Sequence, residues 1–153
     1  MFSLQVLLLV LVLSLPVDSS FSFSFGSRGS RNRNYDFSGP DLTKLYNSGV
    51  YKAEKVVRPL GNLKDTYGPI SHSGVRVTRE DGSQFLIHKG DGYGVSSQTV
   101  VVKADHMSSA WKTVSSKDFN GGKTVADFVK AAGETYDICS ANCHHAADDM
   151  MNQ

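Results

Sequence analysis

Three consecutive segments decide the fold: Ile70-Ser71-His72-Ser73-Gly74-Val75-Arg76-Val77-Thr78, then Arg79-Glu80-Asp81-Gly82-Ser83, then Gln84-Phe85-Leu86-Ile87-His88. In the first, Ser71, Ser73, Val75 and Val77 alternate with Ile70, His72, Gly74 and Arg76, and a period of two puts the two sets on opposite faces of a strand. Glu80 to Ser83 is a hairpin turn centred on Asp81-Gly82, since an Asp-Gly pair accepts the positive φ values of a tight two-residue turn. Gln84 to His88 is the return strand. The three segments predict an antiparallel hairpin with a histidine on each strand. His72 lies mid-strand among small residues that leave room for another element, and His88 ends the paired strand beside it.

Working outward, Val50 to Leu60 is rich in Val and Tyr and reads as a strand closed by Pro59 and Gly61. Thr99 to Lys103 is a further short strand. Pro40 to Tyr46 fits one or two turns of helix, ended by Asn47-Ser48-Gly49. Asn62 to Pro69 reads as a loop. Asp105 to Val114 fits no single element, although Trp111 has the character of a core residue. Gly121-Gly122 precedes Thr124 to Ala132, an amphipathic helix with Val125, Phe128, Val129 and Ala132 on one side and Gly133 as its natural stop. Tyr136-Asp137-Ile138-Cys139 leads into a final helix. No internal repeat appears. Strands followed by helices predict an α+β domain, a small antiparallel sheet with C-terminal helices packed on it.

The chain has 153 residues, enough for one domain of ordinary size. Val6 to Leu15 is an almost unbroken apolar run, followed by Pro16 and the small residues Val17 and Ser19. It reads as a secretory signal peptide over residues 1–19. The run is shorter than the roughly 20 residues that span a bilayer, and no second run is long enough. The mature protein is therefore expected to be secreted and extracellular, with no stable membrane anchor. Residues 20–39, rich in Ser, Gly and Asn and carrying Arg28, Arg31 and Arg33, read as a flexible arm, leaving 40–153 as the folded domain. A formal net charge of +1 makes no case for a nucleic-acid partner. Gly90-Asp91-Gly92-Tyr93-Gly94 lacks the Lys-Ser/Thr pair and following helix of a phosphate loop.

The chemistry sits in Ser140-Ala141-Asn142-Cys143-His144-His145-Ala146-Ala147. Asn142 is a good N-cap residue, which places Cys143 in the first turn of a helix. Cys143, Ala146, Ala147, Met150 and Met151 form one buried helical face. The positive end of a helix favours the thiolate, the nucleophilic form of cysteine. A thiol also needs a base, and histidine serves because its pKa lies near neutrality. His72 is the candidate base and His88 the candidate group that orients it. Asp137 is a further candidate polar group, and His106 reads as a surface residue.

Two alternatives stay open at this point. Cys139 and Cys143 are an even pair in a secreted chain, which suggests a disulfide. At i, i+4 on one helix their Cα atoms would lie about 6 Å apart, within bridging range, and such a bridge would block Cys143. His144 and His145 invite a metal, but neighbours on a helix point about 100° apart and do not easily share one. They are read instead as i, i+4 surface pairs with Asp148 and Asp149. Neither a metal nor a cofactor is expected.

Taken in order, His72-Ser73-Gly74-Val75-Arg76-Val77, Phe85-Leu86-Ile87-His88 and Asn142-Cys143-His144-His145 resemble the circularly permuted papain-like fold, in particular the lecithin retinol acyltransferase-like group of the NlpC/P60 superfamily. The pattern covers roughly Ile70 to Met151. The resemblance implies a nucleophile at Cys143, a base at His72 and an orienting residue at His88. It also implies acyl transfer, or amide or ester hydrolysis, through a thioester without a metal. The chain departs from the group at Ser73, where an aromatic is usual, and at His144, where an acidic residue is usual. The substrate accordingly stays open between a lipid, a peptide and a cell-wall-like amide or ester. The alternative is a secreted binding or defence protein on the same scaffold, non-catalytic, with Cys139 and Cys143 bridged. The sequence leaves the oligomeric state open.

Overall fold

A computed structural model describes Phe37 and residues 39–60, 70–94 and 97–153. The signal peptide expected over 1–19, the arm up to residue 36 and the loop from Asn62 to Pro69 lie outside these residues. The elements are α1 (Gly39–Tyr46), β1 (Gly49–Pro59), β2 (Ser71–Arg79), β3 (Gln84–Lys89), β4 (Thr99–Lys103), a 3-10 turn (Ala104–His106), β5 (Lys112–Thr124), α2 (Val125–Ala132) and α3 (Cys143–Met151). The class is α+β, as the order of segments predicts.

The five strands form one antiparallel sheet in the order β4-β3-β2-β1-β5. The alternation in β2 divides the molecule into two layers. Val75 and Val77 join Ala53, Phe85, Ile87 and Val101 on the face that α2 and α3 cover with Val125, Phe128, Ala132, Ala146, Ala147 and Met150. The opposite face carries a smaller cluster, Val56, Leu86 and Val102, under the partly buried Met107 and Trp111. Phe37 also packs on the main core, with its ring 5.8 Å from that of Phe85.

β5 is the element that sequence reading does not anticipate. Its residues are mostly exposed, and Lys-Thr-Val-Ser-Ser-Lys-Asp-Phe-Asn-Gly-Gly-Lys-Thr has little β-propensity. It forms because β1 has an open edge to pair. The ladder is irregular: Val50 faces Lys123 while Lys52 faces Asp118, so several β5 residues bulge between them. Phe119 lies in that bulge and meets Phe128 with ring centroids 5.0 Å apart. The Gly121-Gly122 pair thus belongs to the strand, ahead of the helix.

Both helices that cover the sheet begin with side-chain caps. Thr124 and Asp127 form a reciprocal capping box at α2, worth about 1 kcal/mol. The far end of α2 is bound by the sheet: Lys89 Nζ donates to Ala132 O at 2.7 Å and Thr99 Oγ1 to Gly133 O at 2.6 Å. Lys89 is 3 % exposed. Its pKa is lowered by burial, against a smaller opposing effect of Asp149.

The seat of α3 is set by its apolar stripe and by an ion pair between Lys55 and Asp148 at the sheet surface. The stripe should dominate. Met150 is fully buried, so Met150→Ala is expected to lower stability by about 2–5 kcal/mol. Asp148→Asn, which breaks an exposed pair, should cost under about 1 kcal/mol. Urea unfolding of the two variants measures the difference, and equal losses would show that the ion pair seats the helix as much as the stripe does.

Candidate functional site

His88 sits directly opposite Gly74 across the β2–β3 ladder, and His72 is two residues from Gly74 on the same face. A Cβ on Gly74 would come within 3.0 Å of the His88 Cβ. The missing side chain therefore lets the His88 ring lie across this position and reach His72. His72 Nε2 and His88 Nδ1 are 2.9 Å apart in a buried hydrogen bond. A hydrogen bond between two imidazole nitrogens needs one proton between two acceptors. With that proton on His72 Nε2, the Nδ1 of His72 carries a lone pair, and among the described residues this atom makes no hydrogen bond.

Aromatic rings enclose the pair. Tyr93 lies 5.7 Å from the His72 ring and 5.0 Å from that of His88, and Trp111 lies 5.5 Å from His72. Arg58 stacks over Trp111 at 5.3 Å. A Cβ on Gly90 would fall 2.4 Å from the Tyr93 ring, so the glycine-rich turn serves to bring this aromatic in. Burial above all, then the charges of His88, Arg58 and His144, hold the pKa of His72 well below 6.5. His72 is thus an enclosed imidazole that burial keeps neutral.

Cys143 is the first residue of α3. The Asn142 side chain accepts from His144 N–H at 2.9 Å and from His145 N–H at 3.2 Å, and its own amide donates to Ile138 O at 2.9 Å. Asn142 O accepts from Ala146 N–H. Of the first-turn amides, that of Cys143 is left without a hydrogen-bond partner among the described residues. The Cys143 side chain is buried with Ala146, Ala147 and Met150. Tyr136 lies near it: burial first, then the charges of Cys143, Asp91 and Asp137, raises the Tyr136 pKa.

Both cysteines are free in this structure, Cys139 exposed and Cys143 buried. Asp137 and Ala141 close a tight turn by two backbone hydrogen bonds, and the Asp137 carboxylate accepts from Ser140 Oγ, Ser140 N and Cys139 N. These bonds, Ser140 first, lower the Asp137 pKa. They place Cys139 outside the helix on a solvent-facing turn, and they occupy the carboxylate of Asp137. His106 lies exposed on the 3-10 turn.

The structure brings His72 and His88 together and sets Cys143 at the same end of β2 without a direct bond. β2 pairs with β3 only from Gly74 onward, so Ser71 to Ser73 run past the end of β3. His72 projects to the side of Trp111 and Tyr93, and Ser73 to the side of α3. No hydrogen bond joins Cys143 Sγ to either histidine among the described residues. His144 makes the connection instead. Its Nδ1 lies 2.6 Å from Ser73 Oγ and its Nε2 2.9 Å from Ser71 O. The expected surface pair with Asp148 is replaced by these contacts, while Asp148 pairs with Lys55. His145 remains exposed. Tyr93, Tyr136 and His144 are the site residues that sequence reading missed. The two departures at Ser73 and His144 were the available signal for one of them.

The lowered pKa of His72 has a definite sign in stability. Between 6.5 and its lower folded value the unfolded chain binds more protons than the folded one, so stability falls as pH drops through that window. Asp127 and Asp137, with pKa values lowered from 3.8, act only at more acidic pH. Thermal melting should therefore show a loss of stability on acidification from neutrality, and His72→Gln should flatten that slope. An unchanged slope in the variant would assign the acid sensitivity to another group.

Comparison of the chain with protein-family models, with curated proteins and with solved structures gives no match.

Proposed function

We propose that the protein is a secreted cysteine-dependent hydrolase or acyltransferase, built as a circularly permuted papain-like domain of the lecithin retinol acyltransferase-like kind. The observation that carries this reading is the buried His72–His88 hydrogen bond. With the shared proton on His72 Nε2, it leaves His72 Nδ1 as an acceptor that makes no hydrogen bond among the described residues, at the strand end against which the first turn of α3 docks. A buried, ring-enclosed histidine pair is a strongly perturbed titratable site, and such sites cluster at functional positions.

His72 and Cys143 lie on opposite faces of β2, so the proposed reaction requires the end of β2 that runs past β3 to bring the His72 ring round to the Cys143 thiol. His72 Nδ1 then takes the thiol proton, and the sulfur attacks the carbonyl carbon of an ester or amide. The backbone N–H of Cys143, at the positive end of α3, donates to the developing oxyanion. The C–O or C–N bond breaks, and the leaving group departs with the proton held by His72. Water, or an alcohol or amine acceptor, then attacks the thioester, gives its proton to His72, and releases the acyl product. The Cys143 sulfur recovers that proton. His88 keeps the His72 ring in orientation throughout. The substrate class consistent with this chemistry is an amide or ester of a peptide, a lipid or a cell-wall-like polymer.

The test uses Cys139→Ser, which leaves one thiol. With p-nitrophenyl acetate, intact mass should show one acetyl group, located on Cys143, with release of one p-nitrophenolate. Cys143→Ala should remove the adduct. His72→Ala should slow acetylation by about 10²–10⁴-fold, the usual contribution of a general base, and His88→Ala should slow it less. A folded protein that forms no adduct on Cys143 would overturn the reading and favour a non-catalytic binding or defence protein on the same scaffold.

A further inference from the structure

We infer that His144 is the positioning residue of the site: it locks the turn that carries Cys143 to the strand end that carries His72, and Ser73 is its dedicated partner. The inference rests on the reading of Cys143 and His72 as nucleophile and base, and it adds what fixes the Cys143 turn on β2.

The geometry is a two-point clamp. Ser71 and Ser73 flank His72 on β2, and one imidazole bonds to both of them, at 2.9 Å and 2.6 Å. His144 follows Cys143 in the first turn of α3, so holding its ring restrains the Cys143 backbone through the helical conformation of that turn. The Asn142 cap fixes that turn from the other side by holding the amides of His144 and His145. Neither end of the clamp has slack. Ser73 is 0 % exposed, so its hydroxyl has no water to fall back on when the imidazole is removed; Ser71 is 2 % exposed.

The polarity of the contact also selects the ring. A carbonyl oxygen only accepts, so His144 Nε2 carries a proton toward Ser71 O. The opposite nitrogen then accepts from the Ser73 hydroxyl. Imidazole is the side chain that offers a donor and an acceptor on opposite edges of a rigid ring at this spacing. An acidic residue at position 144 has no proton for Ser71 O when ionised, and an aromatic at position 73 fills the space and removes the hydroxyl. The two departures from the acyltransferase-like pattern therefore compensate each other. His145 shows the contrast: it is next in sequence, exposed, and bonded through its backbone amide to Asn142.

Displacement of a reacting group by about 1 Å costs on the order of a hundredfold in rate, so a clamp at this point bears on chemistry as well as on stability. The experiment measures the pH-rate profile for alkylation of Cys143 by iodoacetamide, together with the melting temperature, in the Cys139→Ser background. His144→Ala should lower the rate at mildly acidic pH about tenfold and move the profile toward that of an ordinary thiol, pKa about 8.5. Ser73→Ala should act in the same sense but less, and the double variant should be no slower than His144→Ala, because both remove one shared contact. His144→Asn, whose amide still faces Ser73, should recover part of the rate. Asp148→Asn breaks a different tie between α3 and the sheet, and should leave the profile in place. A His144→Ala protein with a lower melting temperature and an unchanged profile would overturn the positioning role and leave the proposed nucleophile and base intact. A parent protein whose Cys143 already follows the ordinary-thiol profile would overturn the proposed function and the clamp together.

Discussion

Ala146, Ala147 and Met150 share one dehydrated core with Val75, Val77 and Ile87, and the small side chains at 146 and 147 let the helix lie close to the sheet. Dehydration at this surface is the largest favourable term in a domain of this size, and it sets where α3 lies. A helix seated so closely has few ways to rotate, so the residues at its first turn are delivered to a defined place. The Asn142 cap, the His144 contacts and the burial of Cys143 all follow from that seat. Were the helix to stand further off, Ser71 O and Ser73 Oγ would lose their bonds to His144.

The sheet separates two environments. Its helix-covered face is apolar except at the end of β2, where two serines meet an imidazole. Its other face holds the His72–His88 pair among Tyr93, Trp111 and Arg58, away from bulk water. Because the hydrogen-bonded ladder between β2 and β3 stops at Gly74, the two environments meet at residues 71–73 and nowhere else along that strand pair. The proposed site takes its histidine pair from consecutive strands and its thiol from a helix more than fifty residues later in the chain.

Much of this was legible in the sequence, and the reason is periodicity. The alternation in residues 70–88 gives the hairpin, its faces and the proximity of His72 to His88. The apolar stripe and Asn142 give α3 and the place of Cys143 at its start. β5 was illegible because its formation depends on the open edge of β1, a tertiary fact that overrides weak local preference. Tyr93 was hidden in a glycine-rich turn whose meaning lies in the close approach of a ring to Gly90. His144 was misread because a histidine four residues before an aspartate matches a common surface pair. Only its position opposite two strand serines shows a better bond. The turn at Asp137 was read as an approach to the helix, and the acid-hydroxyl contacts that hold Cys139 outward are set by side chains that no period describes.

Lys89 donates to Ala132 O while lying almost wholly out of solvent, and this has a consequence for the accessibility of the chain. Amine-selective reagents need a neutral, exposed amine. Burial makes the Lys89 amine easier to deprotonate and at the same time shields it, so in the native state it is sheltered where surface lysines such as Lys52 and Lys130 are open to labelling. It comes into reach when the carboxyl end of α2 lifts from β3 and β4. Acylation of this one side chain is therefore a gauge of how often the helical layer parts from the sheet, read without any knowledge of what the protein acts upon.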